Sequence, residues 1–380
     1  MKVKIGKGYS IKTEIILSSL FYDKLDVKFT KKNGDIVNTS LLPERVSFKK
    51  NEKVLMDKVN LFSQRFNDNE VLFENKNRKY FFEYPLYFFI LLVKLFIVKF
   101  FMPNQWVMAY RKIGEIKWKF IKYEKNELMA DPFIYYKDSE YYIFYEALNY
   151  DVNRGYINVG ILDQENDCLK NVKTIISNDY HFSFPFIFEY EGCLYIVPES
   201  SENRTIDLYK CVDFPYDWKK VKTLINNISA VDTILHFENN QCYLFTSEKV
   251  DGCTYNDELS LYTSNDLLND DFVRIEESPI VTDVALARNA GDFIHDKNKY
   301  YRVSQDCSRR YGFKVNMMRV NSFNNYNESL EYKLDLPKKA IAMHTYNKTN
   351  DIEIVDLKIL LLDIKSIYKN ASRIIKRLFK

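Results

Sequence analysis

Four hairpins of one length recur along this chain and limit what it can fold into. Asp131 to Glu146 turns at Lys137-Asp138, Phe184 to Glu199 at Glu191-Gly192, Asp232 to Ser247 at Asn239-Asn240, and Ala290 to Gln305 at Lys297-Asn298. Each is a pair of aromatic and β-branched runs around a turn, the pattern of antiparallel strands. A weaker copy, Ala342 to Ile359, turns at Thr349-Asn350. Taking Asp138, Glu191, Asn239, Lys297 and Thr349, successive turns lie 53, 48, 58 and 52 residues apart. Repeats of ~40–50 residues with about four strands each are the mark of propeller blades. The expected fold is all-β: a five-bladed β-propeller over residues 105–358. It would carry an N-terminal mixed and helical extension (1–104) and a basic amphipathic C-terminal helix (359–380). An irregular β-sandwich is the alternative.

The shared length also places side chains. The two ends of an antiparallel hairpin lie side by side. Asp131, Glu146, Glu199, Asp232 and Gln305 should therefore occupy one rim, and in a propeller the innermost strands converge on the axis. Any one of these carboxylates could cap a turn or pair with an arginine. The set, repeated at the same offsets, points to a central site. Asp131, Glu199 and Asp232 are the candidate catalytic groups, because paired carboxylates serve glycosyl chemistry as acid and as base or nucleophile. Glu146, Ser183, Arg288, Asn289, Gln305, Arg309, Tyr311 and His344 are the candidate substrate-binding groups. The arginines suit a carboxylate or phosphate.

Other classes find little support. With 380 residues, 46% of them hydrophobic, the chain can bury a full core. A net charge of +3 gives no case for nucleic acid. The six cysteines form no CxxC pair, so no zinc site is expected, and reduced thiols in the cytoplasm are. The start, MKVKIGKGYSIK, has no apolar core of a signal peptide. No Gly-rich nucleotide loop, HExxH or GxSxG occurs, and neither a metal nor a cofactor is expected.

Outside the repeats, Asp23 to Val37 reads as two short strands around Asn33-Gly34, and Asn51 to Phe66 as a helix. Residues 84–102 form an apolar helix candidate. Its longest uncharged run, Tyr84 to Val93, is 10 residues, and Lys94 and Lys99 follow. Spanning a bilayer takes ~20 apolar residues. A helix lying in the membrane interface and a helix buried against the domain both remain open. In the tail, Ile364, Ile367, Tyr368, Ala371, Ile374, Ile375 and Leu378 share a helical face, beside six basic residues with no acid after Asp363. Such a helix reads as a membrane-surface element, with a solvated docking helix as the alternative.

Several stretches carry a resemblance. They are Gln105-Trp106, Ala130-Asp131-Pro132-Phe133, Tyr145-Glu146, Tyr180-His181-Phe182-Ser183-Phe184-Pro185-Phe186 and Pro198-Glu199-Ser200. Phe214-Pro215, Trp218, Val231-Asp232, Asn289-Ala290-Gly291 and Gln305-Asp306-Cys307-Ser308-Arg309-Arg310-Tyr311-Gly312 continue the series. On these, residues 105 to about 350 resemble the β-propeller family found as the N-terminal domain of plant glucosamine inositolphosphorylceramide transferase, whose bacterial members occur near surface-polysaccharide genes. More distantly, Asp131-Pro132 looks like the first-blade Asp of five-bladed glycosidases such as arabinanases and invertases. Their two Asp and one Glu would correspond to Asp131, Asp232 and Glu199, in the order Asp-Glu-Asp instead of Asp-Asp-Glu.

The resemblance implies a membrane-associated enzyme of surface-polysaccharide or glycolipid assembly. The first expectation is a glycosyltransferase, cytoplasmic and peripheral on the inner face of the membrane. Its partners would be a carbohydrate or glycolipid substrate, the membrane surface and other polysaccharide-assembly enzymes, with a nucleotide-sugar or lipid-linked sugar as co-substrate. The alternatives are a non-catalytic glycan-binding module and a glycoside hydrolase.

Overall fold

The strand Asn104–Lys112 pairs along its whole length with Ile352–Leu360, so the start of the repeat region closes on its end. The computed structural model describes residues 1–21, 23–43, 48–68, 70–75, 100–124, 127–149 and 154–361. Single positions at 89, 92, 93, 96, 97, 364, 365, 367, 368 and 372 are also described.

Among the described residues, five antiparallel sheets follow one another after residue 103. The first holds Glu127–Lys137, Glu140–Asn149, Arg154–Asp163 and Cys168–Ile176. The second holds Ser183–Tyr190, Cys193–Glu199, Thr205–Asp213 and Asp217–Asn226. The third runs from Ala230–Glu238 to Val273–Arg274, and the fourth from Ile294–Asp296 to Asn327–Lys333. The fifth joins Ala340–Ala342, Tyr346–Lys348 and Ile352–Leu360 to Asn104–Lys112 and Lys119–Phe120. This is the architecture of a β-propeller.

The closing strand corrects one expectation. Gln105 to Arg111 reads as a lead into the first blade, yet it completes the last. Its residues alternate between two cores. Val107 and Ala109 pack with Val303, Val315 and Met317 of the fourth sheet. Met108 and Tyr110 pack with Ile143 and Tyr145 of the first. A strand with a blade on either side is buried on both faces, which is why it is apolar throughout and not alternating.

The inner strands share a defect. Register slips between Ala130 and Phe133, between Ser183 and Phe186, and between Val231 and Ile234. At each slip one residue takes a left-handed backbone: Asp131 (φ 50), Phe184 (φ 43) and Asp232 (φ 51). A β-bulge re-aims the side chain at the bulged position. In the fourth sheet the same place holds Gly291 at φ +145, where a Cβ would lie 2.1 Å from the Tyr346 carbonyl oxygen.

The first 75 residues form a separate sheet with two helices. Lys2–Ile5 lies between Leu25–Thr30, its antiparallel neighbour, and Leu72–Phe73, which runs parallel to it. Ile36–Leu41 completes the sheet. Helix α1 (Ile11–Phe21) starts where the Ser10 hydroxyl accepts the Thr13 N–H. Helix α2 (Phe48–Arg65) buries Leu55, Val59 and Phe62, the last stacked on Phe29 at 4.5 Å.

The apolar segment 84–102 and the tail 359–380 lie largely outside the described residues. The described positions Phe89, Leu92, Val93, Phe96, Ile97, Phe100, Phe101, Ile364 and Tyr368 are helical. No helix among the described residues is long and apolar enough to cross a membrane.

Candidate active site

The bulges aim Asp131 and Asp232 at the line where the five sheets meet. Asp131, 5% exposed, is held from three sides. Its Oδ1 accepts the Thr345 hydroxyl at 2.6 Å and lies 3.3 Å from His344 Nε2. Its Oδ2 accepts the Phe184 N–H of the second sheet at 3.3 Å. Its own N–H donates to Asp356 Oδ2 at 2.9 Å. Asp356 Oδ1 accepts the N–H groups of His344 and Thr345. Asp356 Oδ2 also faces His344 Nδ1 at 2.5 Å, as an ion pair without hydrogen-bond alignment.

Asp232 is held by the fourth sheet. Arg288 Nε donates to its Oδ2 at 2.5 Å and Nη2 to its Oδ1 at 3.3 Å. Gln305 Nε2 donates to Oδ2 at 3.0 Å, and the Asn289 amide donates to the Asp232 backbone oxygen. The last nitrogen of Arg288, Nη1, meets Asn256 Oδ1. The guanidinium is therefore spoken for by protein acceptors, with the Tyr311 ring 4.9 Å away.

Glu199 ends its strand opposite Ser183. It is enclosed by protein but keeps part of its surface open. Its Oε1 accepts the Ser201 hydroxyl at 3.1 Å. Glu146 pairs with His181, whose Nε2 is 3.1 Å from Oε1. The Gly155 N–H donates to His181 Nδ1, which places the ring proton on Nε2, toward Glu146. Gly155 is required there: a Cβ would sit 2.6 Å from the imidazole.

Burial and neighbouring charges together raise the proton affinities of Glu199, Asp131 and His344. Burial first, then the Asp232 and Asp131 charges, push Glu199 up to about 8 against the pull of Arg288 and His181. Burial likewise pushes Asp131 to about 7, with His344 opposing and Asp356 and Glu146 adding to it. Burial disfavours a charged His344. Asp356 and then Asp131 outweigh it, and the ring rises to about 9. Trp106 stacks on that ring at 4.1 Å, and Gly312 passes so near that a Cβ would lie 2.5 Å from His344 Cβ.

All five sheets thus supply the site: Asp131 and Glu146 from the first, Glu199 from the second, Asp232 from the third, Gln305 from the fourth, and Asp356 with Trp106 from the fifth. Side chains that bridge separate blades in this way do not arise from the packing of any one of them. Chemically the arrangement offers a protonated carboxyl at neutral pH, a carboxylate–imidazole–carboxylate triad and an arginine-paired carboxylate. Asp131, His344 and Asp356 also bring ligand atoms within 4.8 Å of one another, the described group best placed to hold a cation. Both His344 nitrogens already face a carboxylate, so an ion would have to take the place of that pairing.

A family model for the N-terminal region of glucosamine inositolphosphorylceramide transferase 1 matches residues 120–360. The chain belongs to this family. The glucosamine inositolphosphorylceramide transferase 1 of Arabidopsis thaliana is 29% identical over 198 residues, which are 51% of this chain and 26% of the plant protein. That of Oryza sativa subsp. japonica matches to the same extent. The chain therefore spans about a quarter of the length of the curated relatives it matches. Among solved structures, the catalytic domain of an alpha-L-arabinofuranosidase from Coprinopsis cinerea has a TM-score of 0.46 at 11% identity, covering 63% of this chain and 83% of that one. An alpha-L-arabinofuranosidase from Lactobacillus brevis has a TM-score of 0.41 at 14% identity, covering 58% and 80%.

In this member of the family, the structure places most of the candidate residues around the propeller axis. Asp131, Asp232, Arg288, Asn289, Gln305, Tyr311 and His344 are joined by direct contacts, while Glu146 touches His181, Glu199 touches Ser201, and Ser183 is buried opposite Glu199. Arg309 is placed elsewhere: it is exposed, with its guanidinium 5.2 Å from the Phe313 ring. Sequence reasoning missed Asp356, Thr345 and Asn256. Asp356 could have been found as the lone acid in the middle of the apolar run Ile354 to Leu357.

Proposed function

We propose that this chain is a glycan-assembly enzyme, a glycosyltransferase that works at a membrane surface on a glycolipid or membrane-bound saccharide. The observation that carries the reading is the meeting of Glu199, Asp131 and Asp232 on one rim, with Asp232 held by Arg288 and Gln305 and with burial raising the proton affinity of both Glu199 and Asp131. A buried carboxyl that keeps its proton near neutral pH beside an arginine-paired carboxylate gives one site an acid and a fixed negative charge together. Glu199, neutral below about 8, is the proton donor. As the bond from the anomeric carbon to the leaving oxygen breaks, Glu199 protonates that oxygen. An acceptor hydroxyl attacks the same carbon and passes its proton to the Asp131–His344 pair. Asp232, fixed by Arg288 and Gln305, stabilises positive charge on the sugar ring. The names of the plant relatives, which act on a ceramide lipid, support a glycolipid partner.

The membrane part draws on the closing sheet. Leu361 N–H donates to the Pro103 carbonyl at 2.8 Å, so the apolar segment and the basic tail leave the propeller side by side. Phe89, Phe96, Ile97, Phe101, Ile364 and Tyr368 are exposed there. That exit lies three residues from Trp106, the residue stacked on His344. A bilayer beneath it would present a lipid headgroup close to the site. We place the protein on the cytoplasmic face, among other enzymes of polysaccharide assembly.

The test is incubation with a panel of nucleotide-sugars and vesicles carrying glycolipid acceptors, read by mass spectrometry. The reading predicts a lipid product heavier by one sugar residue. Free sugar with no lipid product identifies a hydrolase, and binding without any product identifies a glycan-binding module.

A further inference from the structure

Two loops hold Arg288, and the N-terminal unit grips both. The first is residues 252–258. Lys58 of helix α2 lies 2.5 Å from Asp257 Oδ2 and donates to the Ser40 carbonyl at 3.1 Å. Lys58 and Asp257 are both fully buried. Arg65, about two turns further along the same face, makes a two-pronged pair with Glu258 at 2.7 and 2.8 Å. Gly252, at φ +85, passes so close to α2 that a Cβ would sit 2.6 Å from the Asp57 carbonyl. Asn256, between these anchors, accepts Arg288 Nη1 at 3.1 Å.

The second loop, 282–288, runs directly into Arg288. Lys24 pairs with Asp283 at 2.9 Å, and the Ser40 hydroxyl donates to Asp283 Oδ1 at 2.7 Å. Ser40 also accepts the Val284 N–H, and Thr39 donates to the Thr282 carbonyl. Ser40 thus touches both loops, through Lys58 on one side and Asp283 on the other.

Buried ion pairs seldom add net stability over an apolar contact of the same size, because desolvation offsets their attraction. They do fix geometry, since a displaced partner leaves a buried charge alone. An interface that spends a fully buried Lys–Asp pair, a two-pronged Arg–Glu pair and a Lys–Asp pair on the two segments flanking one arginine is built for placement.

We propose that the N-terminal unit is a positioning part of the propeller site: by fixing residues 252–258 and 282–288 it sets the Arg288 guanidinium on Asp232. Its catalytic consequence rests on the transferase reading, but the placement itself does not. The groups that face Glu199 are Asp232, Arg288, Asp131, His181 and the Ser201 hydroxyl. When Arg288 moves off, Glu199 loses a cation and faces a less compensated Asp232. Both changes raise its proton affinity.

The experiment is a carbon-13 carboxyl NMR titration of Glu199 in the full chain, assigned with Glu199→Gln. The double variant Lys58→Met/Asp257→Asn removes the buried charges together while keeping their bulk. Asn256→Ala cuts the link on the propeller side without touching the N-terminal unit. Each should move the Glu199 midpoint upward by roughly one pH unit. Combined, they should move it no further, since they act on one path. A double variant that melts earlier but leaves the midpoint unmoved makes the unit merely structural and overturns the proposal. Fully additive shifts overturn it as well. If the double variant does not fold, Asn256→Ala decides alone: an unmoved midpoint contradicts the placement. No arm requires turnover, so failure of the transferase reading leaves the outcome legible.

Discussion

Asp131 and Asp356 face the two nitrogens of one imidazole: His344 Nε2 is 3.3 Å from the first and Nδ1 2.5 Å from the second. The three side chains come from the first and last sheets, so the ring also joins the two ends of the propeller. Removing it leaves two buried carboxylates against each other. His344→Gln should cost about 3–5 kcal/mol at pH 8, the range for a buried charge pair that loses one partner. The loss should persist at pH 5, below the unfolded value of the ring, where the contribution of His344 is full. Chemical denaturation at the two pH values measures it. Equal stability of variant and parent at pH 8 would contradict the ion triad.

The raised proton affinities fix the sign of the pH dependence. Glu199, Asp131 and His344 all bind protons more tightly in the folded state than in the unfolded chain. Their contribution to stability is full below the unfolded values. It is lost as pH rises through about 7 for Asp131, 8 for Glu199 and 9 for His344. Melting temperature should therefore fall between pH 5 and 9, and Glu199→Gln should flatten the slope from the unfolded Glu range up to about 8. An unchanged slope in that variant would mean Glu199 is not desolvated.

Gly291 is a packing requirement. With the Tyr346 oxygen 2.1 Å from a would-be Cβ, Gly291→Ala has to push the fourth and fifth sheets apart. It should destabilise by several kcal/mol, about 3 or more, as overpacking plus backbone strain. Gly34→Ala, at φ +93 with nothing within 4 Å, should lose only about 1 kcal/mol from strain alone. Denaturant midpoints of the two variants test the difference, and similar losses would refute the close approach.

Truncation before Ile364 should shift the protein from vesicle-bound to free in a flotation assay with anionic lipids. Added salt should weaken binding of the full chain in the same direction, because the six tail cations act through a screened field. If the truncated chain floats like the full one, the tail is no anchor.

The sheets were legible because each hairpin carries its own turn residues and its own apolar runs, as Phe184 to Glu199 does around Glu191-Gly192. Pairing across the chain was not. Arg111 meets Glu353 242 residues away, and nothing local in QWVMAYR says that its partner is the last strand and not the next. The site was half legible. Asp131, Glu199 and Asp232 follow from the shared offset. The bulges that aim them do not, since in the second sheet the left-handed residue is Phe184, a side chain that ordinarily avoids that backbone. Lys58 falls at the same helical spacing as Leu55, Val59 and Phe62, but its partner is not legible there, because the carboxylate that buries it lies in another sheet's loop.

The most direct test of the central claim is the transfer rate of Glu199→Gln and Asp131→Asn beside the parent, with melting curves on the same samples. Both substitutions keep the size of the side chain and remove its acid–base function. The account predicts product formation reduced by at least about 10²–10³-fold and melting temperatures unchanged or higher, as relief of a repulsive site allows. Parental rates in either variant, or loss of activity that only tracks loss of folding, would contradict it.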